Sequence, residues 1–142
     1  TMARILIVED QERHMKDAVT VAKEMGHSVI CASNAGEAAS IIRNGTVDAV
    51  VTDVYLPLDD DAPWNHSESP CGINVAMAAK KAGVPCIFCT DDNHHGAKVQ
   101  WLKSLVDYGN MGLPYLVGGN GIGESKNWKI AIEYITKKGV ID

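Results

Sequence analysis

Two short apolar runs, Arg4-Ile5-Leu6-Ile7-Val8 and Asp48-Ala49-Val50-Val51-Thr52, both stop on carboxylates: Glu9-Asp10 after the first and Asp53 after the second. Apolar runs this short, rich in β-branched residues and without polar alternation, read as strands covered on both faces, the condition of a parallel sheet between helices. Parallel strands point the same way, so the residues that follow them emerge at one edge. Glu9, Asp10 and Asp53 are therefore expected to meet. Three acids so placed repel one another unless protons or a divalent cation neutralise them. The pattern predicts a fold built around a cation-assisted acidic site.

The rest of the chain alternates in the same way. Residues 4–8 predict a strand and residues 12–25 a helix, with Met15, Ala18, Val19, Ala22 and Met25 at helical spacing and Gly26 as its stop. A second strand is expected over 27–32. Asn34, with Glu37 three residues on, forms a capping-box-like start for a helix reaching about 44–45. Residues 48–52 form the third strand, 72–82 the third helix ending at Gly83, and 84–89 the fourth strand. A helix over about 95–108, a strand over 113–117 and a helix over about 125–138 complete five β-α units. This predicts an α/β fold, a three-layer doubly wound five-stranded parallel sheet with right-handed crossovers, as one domain over residues 3–142. Residues 58–71 are polar and proline-marked. A loop this long is usually functional or mobile, and it leaves from the Asp53 edge, so it is expected to overhang the acids.

Composition narrows the function. A 142-residue chain with 46% hydrophobic residues can fill one core. A net charge of −5 argues against a general nucleic-acid surface. No apolar run is long enough for a membrane span and no basic-then-apolar leader is seen, so a cytoplasmic protein is expected. Lys126, Lys129, Lys137 and Lys138 read as a solvated face of the last helix. Cys31, Cys71, Cys86 and Cys89 read as reduced thiols; Cys86 and Cys89 have CxxC spacing but fall on opposite faces of a strand. His66, Cys71, His94 and His95 lack the paired spacing of a zinc set and read as surface groups. Asp59, Asp60 and Asp61 read as a solvated run. The glycine-rich stretch 118–123 precedes a helix, where an anion could bind. It does not match dinucleotide-binding spacing, and a flexible turn is the plainer reading.

Glu9 and Asp10 after the first strand, Asp53 after the third, Pro57 four residues later and Thr90 at the end of the fourth together resemble the receiver domain of two-component response regulators. Tyr115 stands where that family often has a switching aromatic residue. The resemblance spans nearly the whole chain and implies a flavodoxin-like sheet of order 2-1-3-4-5, whose sites lie outside the carboxyl ends of the strands. It implies Asp53 as phosphoacceptor, with Asp10 binding Mg2+ directly, Glu9 mainly through water, and the Tyr55 carbonyl adding a ligand. Thr90 would bond the phosphoryl group and couple it to movement near Tyr115. The implied partners are a histidine kinase or phosphotransfer protein and an unidentified downstream protein, with no nucleic acid and no membrane. The chemistry the resemblance implies is self-phosphorylation in a phosphorelay rather than enzymatic turnover.

The sequence departs from the family pattern at one cation. The lysine expected three residues after Tyr115 falls on Gly118, and the customary proline after it is missing. Lys126, the nearest lysine C-terminal to it, is expected to begin the last helix and would have to reach back across the glycine loop. Asp91 and Asp92 follow Thr90 where a small residue is usual. These departures motivate an alternative, a pseudo-receiver that binds proteins independently of phosphorylation. A Mg2+-dependent phosphohydrolase is disfavoured, because Tyr55 stands where a second acid would be needed.

Overall fold

The computed structural model describes residues 2–59, 69–90, 100–102, 104, 114, 116–118 and 126–137. Strands β1 (Arg4–Val8), β2 (Ser28–Ala32), β3 (Ala49–Thr52), β4 (Cys86–Cys89) and β5 (Leu116–Val117) alternate with helices α1 (Glu12–Glu24), α2 (Ala35–Arg43), α3 (Gly72–Ala82) and α4 (Trp128–Ile135). The sheet runs in the order β2-β1-β3-β4-β5, and every pairing is parallel. The expected topology is present. Of the helix expected over about 95–108, residues 100–102 and 104 are described, and they are helical.

Alternate residues of the strands feed two cores. Ile5, Ile7, Ala49, Val51, Ile87 and Cys89 face α1 and α4, while Leu6, Val8 and Val50 face α2 and α3. This two-sided burial is why the strands lack a polar face. Cys86 packs on the α2–α3 side and Cys89 on the other, so their CxxC spacing joins no common site. Neither sulfur is in a disulfide, and burial pushes the Cys86 thiol up to about 12.

Local rules account for most element ends. Asn34 Oδ1 accepts from the Glu37 backbone N–H at 2.7 Å, as the capping-box pattern predicts. The next orphan donors of α2, Ala35 N–H and Gly36 N–H, reach the carbonyls of Pro57 at 3.0 Å and Leu58 at 2.7 Å. Helix α2 thereby holds the outgoing end of the 58–71 segment. Its return is held by Leu56 N–H donating to the Ser69 carbonyl at 2.9 Å, beside a bridge between Leu56 and Pro70. Residues 60–68, and with them the expectation that the loop overhangs the acids, lie outside the described residues.

Two sequence expectations need correction. Helix α1 buries His14, Ala18 and Ala22, so its inner stripe begins with a histidine, and Val19 is only half-buried. Helix α4 begins at Trp128, and Lys126 stands before it rather than within it. Among the described residues no helix is long and apolar enough to cross a membrane.

Candidate functional site

Register places the acids. Val8 pairs with Thr52 at the ends of β1 and β3, so Glu9 and Asp53 leave the sheet side by side. Asp53 N–H donates to the Val8 carbonyl and Glu9 N–H to the Ala32 carbonyl, each at 3.0 Å. Ligand atoms of Glu9, Asp10 and Asp53 lie within 4.8 Å of one another. The three acids meet as the strand-end pattern predicts. Thr90 directly follows β4 and is buried, with its N–H on the Val117 carbonyl at 3.0 Å. Tyr55, two residues past Asp53, is half-buried. Tyr115 lies outside the described residues, as do Asp91, Asp92, His66, His94 and His95.

The decisive residue is Lys126. Its ammonium donates to Glu9 Oε1 and, at 2.9 Å, to Asp53 Oδ2, with its side chain 1% exposed. Lys126 is therefore not on the solvated helix face expected for it, although Lys129 and Lys137 are exposed as expected, and the lysine missing at position 118 is supplied from position 126. Asn127 supplies the reason. Its side-chain amide donates to the Gly118 carbonyl at 2.8 Å, pinning the start of α4 to the end of β5. Lys126 is therefore returned to the strand edge beside Gly118, the position where the lysine was sought. Trp128 anchors the other side: its ring is buried against α1 and the sheet, and the ammonium lies 5.3 Å from its centroid.

The charge count then matters. Three carboxylates and one ammonium leave two negative charges uncompensated. The remaining oxygens are unequally served. Asp53 Oδ1 accepts from Val54 N–H at 2.8 Å and Glu9 Oε2 from Gln11 N–H at 3.1 Å. Asp10 Oδ1 is buried and has no hydrogen-bond partner. An unserved carboxylate oxygen in an oxygen-only cluster two charges short of neutral fits a hard divalent cation such as Mg2+.

Titration behaviour follows from the same geometry. Burial raises all three acids. For Asp53 burial is opposed by Lys126 and reinforced by Glu9, and the carboxyl is pushed up to about 7. Burial alone would lower Lys126, but the Asp53 and Glu9 charges more than reverse this and hold it above its ordinary value. A folded-state value above the ordinary 3.8 means that the folded protein binds more protons between the two. The contribution of Asp53 to stability is therefore full below about pH 4 and lost by about pH 7 when no cation is present. A divalent cation must displace these protons. The rise in melting temperature caused by Mg2+ is expected to be small at pH 5 and to grow as the pH passes through about 7. Scanning fluorimetry with and without Mg2+ across this range checks it, and equal shifts at pH 5 and pH 8 would contradict it.

Known proteins agree with this architecture. No family model matches the chain. Over 56 residues, 39% of the chain and 46% of the relative, it is 36% identical to Protein PilH of Pseudomonas aeruginosa. Over 57 residues it is 35% identical to Histidine kinase 5 of Arabidopsis thaliana, covering 40% of the chain and 6% of that protein. The matched segments thus span less than half of either relative. Among solved structures, the response regulator PhyR from Brucella abortus superposes with a TM-score of 0.58 at 21% identity, over 83% of this chain and 42% of that one. A signal receiver domain of an HD domain-containing protein from Pseudomonas fluorescens gives 0.57 at 14% identity, over 81% and 74%. In its sheet order, and in the acids that follow its first and third strands, the chain resembles the receiver domains of response regulators.

Proposed function

We propose that the chain is the receiver part of a phosphorelay and accepts a phosphoryl group on Asp53. Glu9, Asp10, Asp53 and the Tyr55 backbone carbonyl would hold Mg2+, and Lys126 supplies the second cation. The observation that carries this reading is the placement of Lys126 between Glu9 and Asp53. Phosphoryl transfer asks a protein chiefly for alignment and charge neutralisation. An Asp53 carboxylate oxygen attacks the phosphorus of a phosphohistidine or acyl phosphate. The bond from phosphorus to the donor atom breaks, and its electron pair leaves with the donor. Val54 N–H and the Lys126 ammonium hold the two Asp53 oxygens and so orient the nucleophile. The Thr90 hydroxyl serves the incoming phosphoryl oxygens. Mg2+, when bound, neutralises the acids and the transferred group, which adds about −1.5 to −2 charges.

An open groove of about 700 Å³, with Met15, Val19 and Ala32 among its lining, runs from Glu9 and Asp10 along α1 and β2. The partners are a histidine kinase or phosphotransfer protein on the donor side and a further protein downstream. The pseudo-receiver alternative drew its motive from a missing lysine. Lys126 on Asp53 answers the missing lysine and supports the phosphoacceptor reading, while Asp91 and Asp92, which also motivated the alternative, lie outside the described residues.

The test is incubation with acetyl phosphate and Mg2+, followed by intact mass. One phosphoryl group is expected on the wild type and none on Asp53→Asn or without Mg2+. A wild type that gains no mass, or a gain that survives Asp53→Asn, removes Asp53 as acceptor.

A further inference from the structure

One side-chain contact ties the segment carrying Asp53 to a distant part of the chain. Val54 and Leu56 are both fully buried but enter different cores: Val54 joins Phe88, Leu102 and Leu116, and Leu56 joins the α2–α3 side. Tyr55, between them, packs against the Val54 cluster. Its hydroxyl accepts a hydrogen bond from Trp101 Nε1 at 3.0 Å, across 46 residues of sequence. Trp101 belongs to the helical segment 100–102, whose Leu102 is fully buried in that same cluster. Trp101 as a residue is 40% exposed, so water competes for its N–H. Its bond to Tyr55 therefore reflects how the two rings are placed by the packing beneath them. The Tyr55 peptide is thus fixed by buried neighbours on both sides and by an indole at the tip of its side chain.

We propose that Trp101 is a positioning residue for the acid site: through the Tyr55 hydroxyl it sets the direction of the Tyr55 carbonyl and thereby the affinity for the divalent cation. This role rests on the reading of Glu9, Asp10, Asp53 and the Tyr55 carbonyl as a cation site. Partners outside the ligand set that orient a ligand commonly govern metal affinity. Linkage makes the effect reciprocal: cation binding strengthens the Trp101–Tyr55 bond by the same factor. The state of the acids is then transmitted to a half-exposed indole.

The experiment is Mg2+ titration by calorimetry on the full chain: wild type, Tyr55→Phe, Trp101→Phe and the double variant. Tyr55→Phe removes one oxygen and keeps the ring, so it guards against a Trp101 variant that folds poorly. Each single variant is expected to bind Mg2+ about threefold more weakly, the loss that one modest hydrogen bond can cause. The double variant is expected to bind no more weakly than either, because both changes remove one bond. Single variants that bind like wild type, or losses that multiply in the double variant, overturn the role of Trp101 while leaving the cation site standing. A wild type that takes up no Mg2+ overturns the cation site and the positioning role together.

Discussion

Lys126→Met is expected to cost the cation-free protein about 3–5 kcal/mol at pH 8, the usual consequence of removing one partner from a buried ion pair. Lys126 faces Glu9 and Asp53 with its side chain almost wholly buried, so the two carboxylates would be left with no opposite charge and little water. Methionine fills similar space, which isolates the charge from the packing. The loss should shrink as the pH falls below about 7, because Asp53 already titrates there and removal of the lysine raises it further. Mg2+ at pH 8 should restore part of the loss. Urea unfolding in EDTA and in Mg2+, at pH 5 and pH 8, measures all of this. A variant as stable as wild type at pH 8 without cation would mean that Lys126 does not neutralise the acids.

Gly72→Ala should be the next most damaging change, by a different cause. A Cβ on Gly72 would lie 2.0 Å from the Asp53 carbonyl oxygen and 2.8 Å from both the Val54 Cα and the Val54 carbonyl oxygen. All three are backbone atoms, so no side chain can swing aside, and Gly72 N–H already donates to the Val54 carbonyl at 2.9 Å. Helix α3 would have to back away or the Asp53–Val54 peptide would have to move. Overpacking of this kind costs about 3 kcal/mol. Because one of the displaced atoms is the Asp53 carbonyl oxygen and the others belong to Val54, whose N–H holds the Asp53 carboxylate, phosphoryl uptake should fall even where the variant remains folded. Chemical denaturation and the acetyl phosphate assay, run on one preparation, separate the two effects. Unchanged stability would show that α3 has slack at its first residue.

The strand ends were legible in the sequence because they obey local rules. The apolar runs at Ile5–Val8 and Ala49–Thr52 need burial on both faces, and only a parallel sheet between helices provides it. Strands pointing one way then oblige Glu9, Asp10 and Asp53 to share an edge. Asn34 and Glu37 marked the start of α2 for the same local reason, as Gly83, left-handed at φ 72°, marked the end of α3. His14 was not legible, since nothing in its neighbours says that a histidine will head the buried stripe of α1.

Lys126 shows where local reasoning ends. By itself the sequence determined the alternation of strands and helices, the parallel sheet and the meeting of three acids, because each follows from periodicity or chain direction. Only the tertiary structure decided that a lysine eight residues past Gly118 returns to the acids, and that Tyr55 meets Trp101. The path of a loop depends on what pins its far end. Here that is an amide-to-carbonyl bond from Asn127 to Gly118 and the burial of Trp128, neither of which has a signature in spacing.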